Sequence, residues 1–144
     1  VGPATAAALG VTLSASGSAS ASSSTAIISS DHRLLSKLVY AEARGEPYKG
    51  MVAVAAVVLN RVRSSSFPNT ISGVIYQKGA FSCVSNGSIN NTPNNQSIRA
   101  ALDALNGWDP TGGCLYYYNP RLTDDEWIRT RTVQTVIGNH YFAR

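Results

Sequence analysis

Between Leu34 and Asn60 the apolar residues recur with helical spacing. Leu34, Leu35, Leu38 and Val39 fall at i, i+1, i+4 and i+5, which places them on one stripe of a helix with about 3.6 residues per turn. Gly45-Glu46-Pro47 breaks the pattern, and a second helix is predicted from Met51 to about Val62. Its run MVAVAAVVL is apolar on every face, so it is expected to be the central buried helix, with Asn60, Arg61 and Arg63 at its solvent end. Asp31 or Ser30 is placed to cap the first helix. Further on, Phe67-Pro68-Asn69 reads as a turn and Thr70 as the cap of a short helix carrying Ile71, Val74 and Ile75 on one side. Residues 86–95, NGSINNTPNN, form a polar irregular loop, either a plain surface loop or the rim of a cleft. Gln96 to Asn106 returns to helical spacing and Gly107 is placed to end it.

From Cys114 the period changes. Cys114 to Tyr118 is dense in strand formers, and Thr132 to Ile137 and His140 to Phe142 flank a Gly138-Asn139 hairpin turn. Between them Thr123-Asp124-Asp125-Glu126 has the spacing of a capping box. The expected fold is α+β, mainly helical, with a small antiparallel sheet near the C-terminus.

The amino-terminal stretch has a different character. Val11 to Ser30 is Ser, Ala, Thr and Gly with little that could pack, the composition of a flexible tether, so a domain is expected over residues 31–144. Residues 1–10 read as a short alanine-rich helix, with Pro3 suited to its first turn and Gly10 to its end. A chain of 144 residues, 44% hydrophobic, is long enough for one domain with an appendage. Its net charge of +4 is modest and lacks a Lys/Arg run, which argues against nucleic acid and suits an anionic polymer. No apolar stretch is long enough to span a membrane. Cys83 and Cys114 are too few for a metal-ligand cluster and neither belongs to a CxxC pair, and either a disulfide or two buried thiols fits them.

The residue that changes the picture is Glu42. It continues the first stripe, four residues beyond Leu38 and three beyond Val39, so its carboxyl is expected to face the interior or a cleft. Partial burial, the negative end of the helix and the nearby Glu46 all favour its neutral form. A carboxylic acid that holds its proton is suited to protonating a leaving oxygen. The competing reading is an ion pair with Arg44 that merely fixes the helix.

Leu38-x-x-Ala41-Glu42-Ala43-Arg44-Gly45-Glu46-Pro47, followed by Gly50-Met51-x-Ala53-Val54-Ala55-x-Val57-x-x-Asn60-Arg61, resembles the catalytic domain of the spore cortex-lytic enzymes, a family of cell-wall hydrolases. The likeness continues through Gly79-Ala80-Phe81-Ser82, Leu115-Tyr116-Tyr117-Tyr118-Asn119-Pro120 and Ile137-Gly138-Asn139-His140-x-Phe142, in the same order. One departure is Ala80, where many relatives carry Gln; Gln77 is then the nearby amide. The Val-Gly-Pro-x-Thr run of residues 1–5 is similar to the start of the last helix in the peptidoglycan-binding module that accompanies this family.

The resemblance implies a lysozyme-like or transglycosylase-like domain that cuts the glycan backbone of spore-cortex peptidoglycan between N-acetylmuramic acid and N-acetylglucosamine, with Glu42 as the essential acid. It also implies a secreted protein acting outside the cytoplasm in the spore, a regulatory protein partner during dormancy, and a monomer without cofactor or metal. Candidate substrate-binding residues are Gln77, Phe81, Ser82, Tyr116 and Tyr118, while Tyr117 is assigned to core packing. Ser82 would bond an acetamido group or cap a turn. Glu46 is expected to steer Arg44 or hold the Pro47 turn, and His140 to make a structural hydrogen bond.

Acids on opposite sides of a scissile bond are scarce. Glu46 is read as sharing a helix face with Glu42, and Asp124, Asp125 and Glu126 as helix-start acids, so a one-acid lytic transglycosylation is expected rather than two-carboxylate hydrolysis. Two other classes compete. A zinc amidase cutting the muramoyl-alanine bond would have only His32 and His140 as histidine ligands. A non-catalytic wall-binding module would explain the charge and the tyrosines, but not an acid on an apolar stripe.

Overall fold

A computed structural model describes residues 29–144; the helix expected over residues 1–10 and the tether expected over residues 11–30 lie outside the described residues, except that Ser29 and Ser30, the last two of that tether, belong to the start of the first helix. Helix α1 spans Ser30–Ala43, and its N-cap is Ser29, whose hydroxyl accepts the His32 amide at 3.0 Å, one residue ahead of the expected caps. Leu35, Leu38 and Val39 are fully buried, as their stripe requires. The chain leaves the helix at Arg44, passes Gly45 with a positive φ of 90°, and enters α2, Tyr48–Arg63, at Pro47. A left-handed backbone of that kind costs glycine nothing and other residues strain.

Helix α2 is buried on all faces from Gly50 to Leu59, which makes it the axis of the domain. Helices α1 and α2 pack on each other and on α5, Asn95–Leu105, whose N-cap Asn94 accepts the Ser97 amide at 2.9 Å. Two short helices lie between α2 and α5. Helix α3, Ile71–Ile75, is capped by Thr70 as expected, and α4 covers Ser82–Ser85. The polar loop is less irregular than its composition suggests: Ser88–Asn90 makes a 3-10 turn that buries Ile89.

The sheet has three strands, β1 Tyr116–Tyr118, β2 Val133–Ile137 and β3 His140–Ala143, antiparallel in the order β1-β3-β2. In the register Tyr117 pairs with Phe142 and Tyr118 with Tyr141. Helix α6, Glu126–Arg129, sits between β1 and β2 in sequence. Its cap is Asp125, which accepts the Trp127 and Ile128 amides at 2.9 and 3.3 Å; Thr123 instead accepts the Asp125 amide at 3.1 Å. The helix is therefore capped two residues later than the capping-box spacing suggests, by Asp125 alone, since Ile128 at its third position has no acceptor to return the bond.

The chain is turned from α5 into β1 around Asp109. Its carboxylate accepts the Thr111 and Gly113 amides, the Thr111 hydroxyl, and Asn60 Nδ2 of α2 at 2.9 Å. Burial pushes this carboxyl up, but the hydrogen bonds from Thr111, Asn60 and Gly113 outweigh it and hold the group below its ordinary range. Asn60 also donates to the Cys114 carbonyl at 3.0 Å. The residue expected at the wet end of α2 thus fastens that helix to the approach to the sheet.

The hairpin turn is fastened from the other side. Glu46 lies beyond the end of α1, not on a shared face with Glu42, and its carboxylate accepts the Asn139 amide and Asn139 Nδ2, each at 3.0 Å. Gly138 has a φ of 58°, and a Cβ there would overlap Glu46 Oε1 and lie 2.7 Å from Pro47 Cδ. Gly138→Ala is therefore expected to cost ~1–3 kcal/mol of stability through overpacking. Urea denaturation checks it, and an unchanged midpoint would show that the turn is not docked on Pro47.

Candidate active site

Glu42 occupies the last turn of α1 and is partly buried. The Tyr117 hydroxyl, from the middle of β1, donates to Glu42 Oε1 at 2.6 Å. Burial, followed by the charge and hydrogen bond of Glu42, pushes the Tyr117 phenol well above its ordinary range, so at neutral pH it holds its proton and acts as the donor. The Cys83 thiol is buried beside the same carboxylate and is pushed up to about 12, first by burial and then by Glu42. Cys83 and Cys114 are both free thiols, and Cys114 Sγ contacts the Thr111 carbonyl at 3.3 Å. Arg44 does not supply the counter-charge that the alternative reading gave it: its guanidinium lies over the Tyr40 ring, 4.9 Å from the centroid.

Tyr117 also lines a cleft of about 320 Å³, and so connects Glu42 to it. Tyr116 and Tyr118 line the same cleft, with Gln77 and Ala80 from the loop after α3 and Asp125 and Trp127 from the start of α6. Tyr116 meets Trp127 edge-on at 5.3 Å. Aromatic faces of this kind suit the apolar faces of sugar rings.

Of the expected binding residues, Gln77, Tyr116 and Tyr118 reach the cleft, although Tyr118 is only 9% exposed. Phe81 and Ser82 are not part of its lining. Phe81 is buried and stacks on Tyr117 at 6.5 Å, so it supports the tyrosine, while Ser82 opens α4 in solvent and its carbonyl accepts the Ser85 hydroxyl. Tyr117, assigned to the core, combines packing with direct contact to Glu42. Glu46 holds Asn139, not Arg44. His140 Nδ1 is buried without a hydrogen-bond partner, contrary to the structural bond expected of it, and the ring packs edge-on against Tyr117 at 5.0 Å. Burial lowers the His140 pKa against the opposing charges of Glu46 and Glu42.

Arg61 is the residue whose setting differs most from its sequence reading. It is 9% exposed, lines the cleft, and donates from Nε to the Leu115 carbonyl at 2.7 Å. A signal for this was present, since Arg61 stands four residues beyond Val57 and seven beyond Val54 on a helix buried all round. Trp127 and Lys78 were also passed over as cleft residues; neither belongs to a pattern that distinguishes it from ordinary surface.

This arrangement, a helix-end acid joined by a strand tyrosine to an aromatic cleft, sits on an α+β scaffold shared with solved catalytic domains. The crystal structure of the catalytic domain of the Bacillus cereus SleB protein superposes with a TM-score of 0.75 at 55% identity, covering 79% of this chain and 89% of that one. The catalytic domain of the germination-specific lytic transglycosylase SleB from Bacillus anthracis superposes with a TM-score of 0.77 at 53% identity, covering 82% and 98%. The Cell Wall Hydrolase family model matches residues 45–143, and the chain belongs to that family. The matched span begins just after Glu42. The spore cortex-lytic enzyme of Bacillus cereus is 55% identical over 114 residues, 79% of this chain and 44% of that protein. The spore cortex-lytic enzyme of Bacillus subtilis is 50% identical over 113 residues, 78% and 37%. The chain thus spans less than half the length of these two relatives.

Proposed function

We propose that this chain carries the catalytic domain of a germination enzyme that cleaves the glycan backbone of spore-cortex peptidoglycan between N-acetylmuramic acid and N-acetylglucosamine, with Glu42 as its general acid. The observation that carries the reading is the 2.6 Å hydrogen bond from the cleft-lining Tyr117 to Glu42 Oε1. A phenol that donates to Oε1 leaves Oε2 free of that bond and holds the carboxyl group in one orientation. Residues 1–10 would then be the remnant of a wall-binding module, residues 11–28 its tether, and the site of action the cortex, outside the cytoplasm.

The chemistry that one acid supports is lytic transglycosylation. Glu42 gives its proton to the glycosidic oxygen as the C1–O bond breaks, and the N-acetylglucosamine side leaves as an alcohol. The resulting carboxylate then takes the proton of the muramoyl C6 hydroxyl while O6 bonds to C1. A 1,6-anhydro ring forms, Glu42 regains its proton, and no water is consumed. Glu46 is occupied with Asn139 and Asp125 Oδ1 with two α6 amides, which leaves Glu42 as the acid joined to the cleft by a side-chain hydrogen bond.

The amidase alternative has little to build on. His32 Nε2 lies 2.9 Å from the Ile98 carbonyl, away from the cleft residues, and His140 is packed under Tyr117. Among the described residues no group of three His, Cys, Asp or Glu side chains converges.

Mass spectrometry of digested cortex peptidoglycan tests the reading, with muramic ends lighter by one water as the expected product. Reducing muramic ends would instead make the protein a hydrolase, with Asp125, which lines the cleft, as the second carboxylate. New alanine amino groups would make it an amidase, and an uncut polymer a binding module. Tyr117→Phe is expected to lower kcat about tenfold or more with little change in KM, because the ring still packs while Glu42 loses its orienting donor. Steady-state kinetics on soluble glycan checks this, and unchanged kcat would remove Tyr117 from the mechanism.

A further inference from the structure

Arg61 brings a positive charge from the last turn of α2 into the protein interior. Its Cζ lies 5.0 Å from the ring centroid of Phe67 and 5.4 Å from those of Phe81 and Tyr116. The ionisable groups that act on it are Tyr117 and Tyr116, neither of them a carboxylate. Burial accordingly lowers its pKa, with the two tyrosines opposing. A buried cation is ordinarily held by an anion, and ring faces replace only part of what an anion supplies.

The Leu115 carbonyl occupies Nε alone. The terminal nitrogens are not among the buried polar atoms that lack a partner, and Arg61 lines the cleft, so the free edge of the guanidinium opens there. Lys78 lines the same cleft, and Arg131 Cζ lies 5.8 Å from the Tyr116 ring centroid. The opposing charge is Asp125, whose Oδ1 is taken by the Trp127 and Ile128 amides. The cleft lining therefore carries two cations, Arg61 and Lys78, against one carboxylate, Asp125, beside the aromatic rings of Tyr116 and Trp127.

We propose that Arg61 forms an anion subsite that receives a carboxylate of the glycan substrate. This rests on the glycan-cleaving reading of the same cleft and adds what the cleft recognises. The planar guanidinium edge matches a carboxylate with two parallel N–H donors, a geometry that an ammonium cannot reproduce. Two carboxylates of peptidoglycan have the right chemistry: the lactyl group of a muramic residue that bears no peptide, and the acids of a stem peptide. Either would pair a charge to which the described residues bring no carboxylate.

The test is calorimetric binding to the folded Glu42→Gln chain of three tetrasaccharides of alternating N-acetylglucosamine and N-acetylmuramic acid. The first carries free lactyl carboxylates, the second has them converted to methylamides, and the third carries a stem peptide in their place. The first or third is expected to bind about tenfold or more tightly than the second, the gain of one charge-assisted hydrogen bond. Preference for the first alone assigns the lactyl carboxylate; preference for the third assigns the peptide.

Arg61→Lys should shrink the preference and Arg61→Met abolish it. If those variants do not fold, the comparison of ligands on the Arg61-bearing chain still decides. Equal affinity for all three probes would overturn the anion subsite. Cleavage by the unmodified chain, followed in parallel, separates the two proposals. Charge preference without cleavage would sink the enzymatic reading alone, and cleavage without charge preference would sink the subsite alone.

Discussion

Glu42→Gln is expected to abolish peptidoglycan cleavage while the domain stays folded. The amide keeps the size of the acid and an oxygen that accepts the Tyr117 hydroxyl, so the 2.6 Å contact can persist. It has no acidic proton to give the leaving oxygen and no carboxylate to take one back. Removing a general acid ordinarily costs about 100-fold to about 10,000-fold in rate. The loss should fall on kcat, because the cleft proposed to receive the sugar is lined by Tyr116, Trp127 and Gln77 and is untouched. Turnover of soluble glycan together with circular dichroism checks both halves of the expectation. Near-normal turnover by a folded Glu42→Gln chain would remove the acid from the mechanism, and an unfolded one would return Glu42 to a structural role.

Phe142→Ala is expected to be the most damaging of the core truncations for stability. Phe142 is fully buried in β3, pairs with Tyr117 across the sheet, and has its ring 5.9 Å from that of Tyr117 and 6.1 Å from that of His140. Truncation leaves a cavity at the junction of sheet and helices, which ordinarily costs ~3–5 kcal/mol. Against a typical domain stability of ~5–15 kcal/mol this is a large share. Urea denaturation measures it, and a loss under ~1 kcal/mol would show that the sheet collapses around the gap. The same variant should turn over glycan more slowly even where it is folded, since Phe142 and Phe81 fix the ring whose hydroxyl orients Glu42.

Residues 34–60 show how far sequence reaches. Two helices, their break at Gly45 to Pro47, the burial of the second, and an acid on the inner stripe of the first all follow from spacing, because helical geometry turns sequence distance into a face. The hairpin at Gly138-Asn139 is equally local. These features involve residues a few positions apart, and the chain's own stereochemistry determines them.

What surrounds Glu42 is of another kind. Tyr117 is 75 residues away in sequence, and a run of three tyrosines does not say which hydroxyl reaches across the sheet to the helix end. That choice came from the pairing of β1 with β3 and the docking of β3 through Phe142. Glu46 reads as a neighbour of Glu42 along the chain, yet its partner is Asn139, 93 residues on, because the helix has already ended and the carboxylate swings to the hairpin. Arg61 looked like the wet end of a helix by its charge. Only the closing of β1 over the end of α2 buried it among three rings and left its free edge to the cleft. Local order was written in periodicity, whereas the partners of the charged groups were decided by which distant segments packed together. A charge takes its energy from whatever surrounds it in space, and neighbours along the chain are a poor guide to that surrounding.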